Sequence, residues 1–155
     1  MAAPVAVSLL PDGFYRLHNG GLHNPGSWYY VTAEPNAGLV SLLPKSETAF
    51  QVWQLRNHLN GQVSLEVRGK PGYYLTPGGS GALAGEPLGV TQTQQMWDFG
   101  KFAGGPFTRY YLAYPEPILG KTLLVSEGTE LESVIFTNQE GGVTATQAWK
   151  FAPAA

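Results

Sequence analysis

A chain of 155 residues fits a single domain. Nine Lys and Arg against eleven Asp and Glu give a net charge of −2, with no basic run to neutralise several phosphates, which excludes nucleic acid as a partner. Cysteine is absent, which removes disulfides, thiolate nucleophiles and thiolate metal sites together.

The N-terminal stretch, Met1 to Gly13, is mildly apolar but lacks a basic region, and Pro4 and Pro11 interrupt it. It does not read as a signal peptide. No segment approaches the ~18 apolar residues of a membrane-spanning helix. A soluble, cytoplasmic protein with no membrane partner is expected.

From there the sequence alternates short apolar runs with Gly, Pro and Asn breakers, the all-β pattern. Strands are predicted at Gly13–His18, Trp28–Thr32, Leu39–Leu43 and Gln51–Arg56. The next four are Val63–Val67, Tyr73–Thr76, Leu88–Thr91 and Met96–Phe99. The last four are Thr108–Tyr114, Thr122–Ser126, Val134–Thr137 and Trp149–Phe151. Breakers separate them at His23–Gly26, Glu34–Gly38, Gly69–Gly72, Gly78–Pro87, Ala103–Pro106 and Tyr114–Gly120. No segment sustains a helical apolar period with a cap.

One local frame recurs. Gln51-Val52-Trp53-Gln54-Leu55, Gln95-Met96-Trp97-Asp98-Phe99 and Gln147-Ala148-Trp149-Lys150-Phe151 each read Gln-x-Trp-x-(Leu/Phe). An apolar triplet precedes each, at Tyr29–Val31, Tyr73–Leu75 and Leu123–Val125. From triplet centre to Trp the distance is 23 residues twice and 25 once. The chain therefore divides into units of about 12–56, 57–101 and 102–152 within one domain, 1–155. Three four-stranded units with a Gln-x-Trp near each end resemble the β-trefoil, in which six strands close a barrel and three hairpins cap one end. On that reading the fold is all-β, a β-trefoil of twelve strands in three pseudo-repeats, and the three Trp are packing residues.

Catalytic chemistry is thinly supplied. His18, His23 and His58, with Asp12 and Asp98, show no metal-ligand spacing. His18 and His23, five apart across a turn, read as two solvated turn residues. No cofactor motif, metal site or catalytic residue is expected, and the protein is not expected to be an enzyme.

A triple Gln-x-Trp resembles ricin-B-like lectins, a resemblance that implies sugar pockets built on an Asp after each second strand. Neither Asp12 nor Asp98 stands there, and Phe50, Gln94 and Thr146 occupy the positions before each Gln where that family commonly has Asn. A lectin on this scaffold would need other pockets, drawn from Asn19, Asn24, Asn36 or Asn57 with Trp28 or Tyr29.

The first third is also similar to mushroom β-trefoil protease inhibitors, the mycocypins (clitocypin and macrocypins) and the cospin and cocaprin type. Asp12-Gly13-Phe14-Tyr15-Arg16-Leu17 resembles their opening. Val31-Thr32-Ala33-Glu34-Pro35-Asn36, with Gln51-Val52-Trp53-Gln54 after it, resembles the stretch around their second and third strands. That resemblance implies reversible inhibition of papain-like cysteine proteases by loop insertion, with aspartic or serine proteases as second targets. The loops so implicated are Gly20–Ser27, with Leu22, His23, Asn24, Pro25 and Gly26, and Glu34, Pro35, Asn36, Ala37 and Gly38, joined by Lys45–Ala49. Lys70 offers a poor trypsin-directed bond because Pro71 follows it. No Asn stands in Arg68–Gly72, which disfavours legumain as a target. The expected function is thus a fungal-type protease inhibitor, monomeric or homodimeric; the alternative is a carbohydrate-binding lectin with a glycan as partner.

Overall fold

The structure is a computed structural model, and it describes residues 9–18, 29–34, 36, 38–59, 61–77, 88–102, 108–115, 122–127, 134–138 and 147–154. Among the described residues it is all-β apart from the 3-10 turn at Ala49–Gln51 and a 3-10 residue at Gln147. The strands are β1 (Gly13–His18), β2 (Tyr29–Glu34), β3 (Leu39–Pro44), β4 (Trp53–Asn57), β5 (Val63–Val67) and β6 (Tyr74–Thr76). They continue as β7 (Gly89–Thr91), β8 (Asp98–Phe102), β9 (Arg109–Pro115), β10 (Thr122–Glu127), β11 (Val134–Asn138) and β12 (Lys150–Pro153).

Antiparallel pairings run in a ring. β1 pairs with β4 and β4 with β5. Val63 bridges Trp97, which enters β8, and β8 pairs with β9. Tyr110 bridges Trp149, which enters β12, and β12 returns to β1. Within this ring each strand has a neighbour on both sides, so the ring itself presents no free edge. Outside the ring stand the hairpins β2–β3, β6–β7 and β10–β11, the first two joined where Leu39 pairs with Gly89.

The period-2 alternation of strands directs one face inward. Tyr15 and Leu17 of β1, Trp53 and Leu55 of β4, and Val63, Leu65 and Val67 of β5 enter one core with Trp97, Leu112, Trp149 and Phe151. All three of these Trp are completely buried, as the packing expectation holds. Trp53 Nε1 and Trp97 Nε1 donate to the carbonyl oxygens of Val31 and Leu75 at 2.9 and 3.1 Å. Near one end Phe99 stacks on Tyr110, and Phe151 meets both rings edge-on.

Two strand boundaries differ from expectation for local reasons. Gln51 lies in a 3-10 turn, Ala49–Gln51, rather than at the head of β4, because the Thr48 hydroxyl accepts from Phe50 N–H and caps the turn. β8 runs from Asp98 to Phe102, past Gly100, instead of spanning Met96–Phe99. Gly100 sits opposite Tyr111 in β9, and a Cβ built there would lie 2.1 Å from that ring. The missing side chain is what lets Tyr111 lie across the strand, so the glycine continues the ladder instead of ending it.

Candidate functional site

Of the expected binding residues, Glu34, Asn36 and Gly38 are described, at the tip joining β2 to β3. Leu22, His23, Asn24, Pro25, Gly26, Pro35 and Ala37 lie outside the described residues. The hairpin closes on the Glu34–Leu39 pair. Ser41 Oγ donates to Glu34 Oε2 at 2.5 Å, which holds the carboxylate back along the strand. Gly38 has φ of 69°, a left-handed conformation that a β-carbon would strain. Its carbonyl accepts from Val90 N–H at 3.1 Å, tying the tip to β7. Asn36 is exposed. The tip thus presents one amide side chain from a fixed base.

Beneath it, Gln51 anchors the hairpin root. Its Nε2 donates to Pro44 O at 2.7 Å and to Thr32 Oγ1 at 3.2 Å, while its Oε1 accepts from Ser46 N–H at 2.8 Å. The Gln of this frame is therefore a structural tie, as the neighbouring Trp is a structural filler.

Both Asp side chains are spent on similar bracing. Asp12 Oδ1 accepts from Asn57 N–H and Asn57 Nδ2 at 2.9 and 2.7 Å; these bonds to the charged form hold the Asp12 carboxyl below the usual carboxylate range. Asn57 Nδ2 also donates to Leu10 O, which removes Asn57's amide N–H groups from the set expected to meet a sugar. Gln62 Nε2 donates to Asp98 Oδ1 at 3.0 Å.

The Arg68–Gly72 turn is likewise stiff. Gly72 has φ of 89°, and its N–H donates to Glu66 Oε2 at 2.7 Å. Lys70 Nζ stands 4.4 Å above the Tyr73 ring, and the Arg68 guanidinium 4.6 Å above Phe14. Lys70 is thereby drawn onto an aromatic face instead of projecting as a substrate-like cation.

The expectation that His18 is a solvated turn residue is corrected. It is the last residue of β1, is 1% exposed, and packs edge-on against Tyr30 with ring centroids 5.1 Å apart. Burial, with Lys150 and Arg109 close by, lowers its pKa to about 4. Arg109, 6% exposed, was not singled out from the sequence. Its signal there was only a charge beside an apolar run, and the strand register that gives it neighbours is a product of the fold.

His58 Nε2 and Ser64 Oγ are 2.9 Å apart. Ser64 has no accessible surface, so the pair offers no nucleophile to a substrate and instead braces the β4–β5 turn. Among the described residues no group of His, Asp and Glu could hold a metal ion, and no helix is long and apolar enough to cross a membrane.

No protein-family model matches the chain, and no curated protein matches it by sequence. Solved structures do. The designed threefold-symmetric protein ThreeFoil is 21% identical, with a TM-score of 0.68 over 92% of this chain and 100% of that one. The Macrolepiota procera ricin B-like lectin, solved with lactose, is 14% identical, with a TM-score of 0.68 over 96% of this chain and all of its own. The Rhizoctonia solani agglutinin is 19% identical, with a TM-score of 0.62 over 98% and 100%. At such identities the likeness defines the fold: an all-β protein of the trefoil type, shared with ricin-B-like lectins. No protease inhibitor stands among these three.

Proposed function

We propose that the chain is a non-catalytic β-trefoil of three pseudo-repeats, about 12–56, 57–101 and 102–152, that binds carbohydrate. The observation that carries this reading is the end-to-end match to a ricin B-like lectin solved with lactose, which this chain covers completely. The sugar contacts differ from an Asp-based pocket, since Asp12 and Asp98 are engaged by Asn57 and Gln62. Sugar recognition needs a few polar groups that converge beside an aromatic face. Among the described residues, half-buried Tyr29 at the start of β2 and exposed Asn36 just beyond its end remain from the expected set, while Asn19, Asn24 and Trp28 lie outside the described residues. A glycan array on the wild-type protein and on Asn36→Ala tests the reading. Saturable binding to at least one glycan supports it, and a folded protein that retains no glycan overturns it.

Reversible inhibition of a papain-like cysteine protease is the second reading, favoured by the fixed base of the β2–β3 tip. Ser41 holds Glu34, and Gly38 is tied to Val90, so little loop entropy remains to be lost on insertion. Replacing Glu34–Asn36, or Asn24 with Gly26, should then weaken papain inhibition at least tenfold, ~1.4 kcal/mol, with thermal stability nearly unchanged. Equal inhibition by wild type and both folded loop variants removes the first-unit assignment.

A further inference from the structure

His18 of β1 pairs with Lys150 of β12. The antiparallel bridge between Tyr110 and Trp149 sets Arg109, one residue earlier, beside Lys150, one residue later. Three strands thus carry Arg109, Lys150 and His18 in one row, with Tyr30 of β2 opposite His18 at its end. Leu17, Trp149 and Tyr110, the strand neighbours of these three, belong to the barrel core, so the row lies on the outer face. Arg16, two residues before His18, shares that face.

The row is covered although it is cationic. His18 and Arg109 are 1% and 6% exposed, and Arg109 Nε and Arg16 Nε have no hydrogen-bond partner. A buried guanidinium N–H calls for an acceptor, because burial strips its water without replacing it. Four carboxylates hold bonds elsewhere: Asp12 to Asn57, Glu34 to Ser41, Glu66 to Gly72 and Asp98 to Gln62. Lys150 is only half-buried, so the row opens to solvent at its middle.

We infer that Arg109, Lys150 and His18, with Arg16 beside them, form a binding site for an oxyanion, a carboxylate or a sulfate group. A guanidinium offers parallel N–H groups that match two such oxygens, and an ammonium adds a point charge. On the carbohydrate reading, on which this choice of ligand rests, the oxyanion is carried by an acidic sugar; the alternative source is a free inorganic anion.

The test titrates sodium sulfate, glucuronate, galactose 6-sulfate and neutral galactose into the folded protein at constant ionic strength. Calorimetry gives the affinity and NMR follows the His18 ring. Sulfate and both acidic sugars are expected to bind saturably. Binding should weaken at least tenfold in Arg109→Gln and in Lys150→Gln, and hold in the control Lys101→Gln, which alters an exposed lysine. An anion seated between the cations should also raise the His18 pKa from about 4. If Arg109→Gln does not fold, the half-buried Lys150→Gln and the His18 titration decide alone. No saturable sulfate or acidic-sugar binding by wild type, equal binding by Lys150→Gln, or an unmoved His18 each overturns the inference. Acidic sugars that bind no better than sulfate support the anion site and count against the carbohydrate reading. Binding of neutral glycans without any anion effect preserves that reading and removes the site.

Discussion

The Trp53 indole and the Val31 carbonyl, 22 residues apart in sequence, meet through a buried hydrogen bond of 2.9 Å. Trp97 repeats the arrangement with Leu75, again 22 residues upstream. In both cases a side chain in the barrel wall satisfies a carbonyl of the strand that leads into a hairpin. Trp53→Phe should therefore cost about 1–3 kcal/mol, mainly by leaving the Val31 carbonyl without its donor. Trp97→Ala, which also leaves a void, should cost ~3–5 kcal/mol and bring a domain of ordinary stability, ~5–15 kcal/mol, close to unfolding. Urea titration of both variants checks the order.

Gly100 and Tyr111 give a second test. A methyl group at position 100 meets the ring at 2.1 Å, so Gly100→Ala must displace Tyr111, at a cost of about 1–3 kcal/mol. In Gly100→Ala/Tyr111→Ala the clash is gone, and the double variant should be more stable than the sum of the two losses predicts. Additive losses in this double-mutant cycle refute the contact.

Folding holds His18 neutral, and the sign of its pH dependence follows. The folded pKa, about 4, lies below the ordinary value of 6.5, so the unfolded chain binds more protons between those two values. Stability is complete above pH ~6.5, falls as the pH drops towards 4, and levels off below it, a loss on the order of 3 kcal/mol. His18→Gln should flatten this slope. Denaturation midpoints at pH 7.5, 5.5 and 4 measure it, and a wild-type profile flat over that range contradicts the neutral buried imidazole.

Asp12 acts in a lower window. Its folded pKa is depressed from 3.8 by the Asn57 bonds, so the stability it adds is present above that value and is lost as pH falls through the folded pKa. Asp12→Asn should remove this acid-sensitive part while costing about 1 kcal/mol or less at neutral pH, because both Asn57 bonds are exposed to solvent and screened. Thermal melts of the two proteins should converge at the most acid pH.

Much of the architecture was legible because its signals are local. Val63–Val67 and Gly13–His18 alternate cleanly between the faces of a strand, and the observed strands coincide with the expected ones. The Gln-x-Trp frame marked positions where a large aromatic must be buried. The row at Arg109, Lys150 and His18 was illegible for the opposite reason. Its members are separated by 41 and 132 residues of sequence and become neighbours only through strand register. His18 reads as a turn residue because His23 follows five residues on across a turn, yet it is Tyr30 that lies against its ring. The Asp12–Asn57 tie was hidden in the same way, as a contact across two strands.

The ring described above closes through β1, whose two partners within it are β4 and β12. The first is about 40 residues away and the second about 135. During synthesis β1 and β4 can therefore pair early, while the opposite side of β1 waits for nearly the whole chain to emerge from the ribosome. Contacts of such long separation slow folding, and an unpaired strand side is an aggregation hazard while it waits. A nascent chain stalled before Lys150 should thus be protected by chaperones or lost to aggregation, although every core tryptophan except one already hangs outside the exit tunnel.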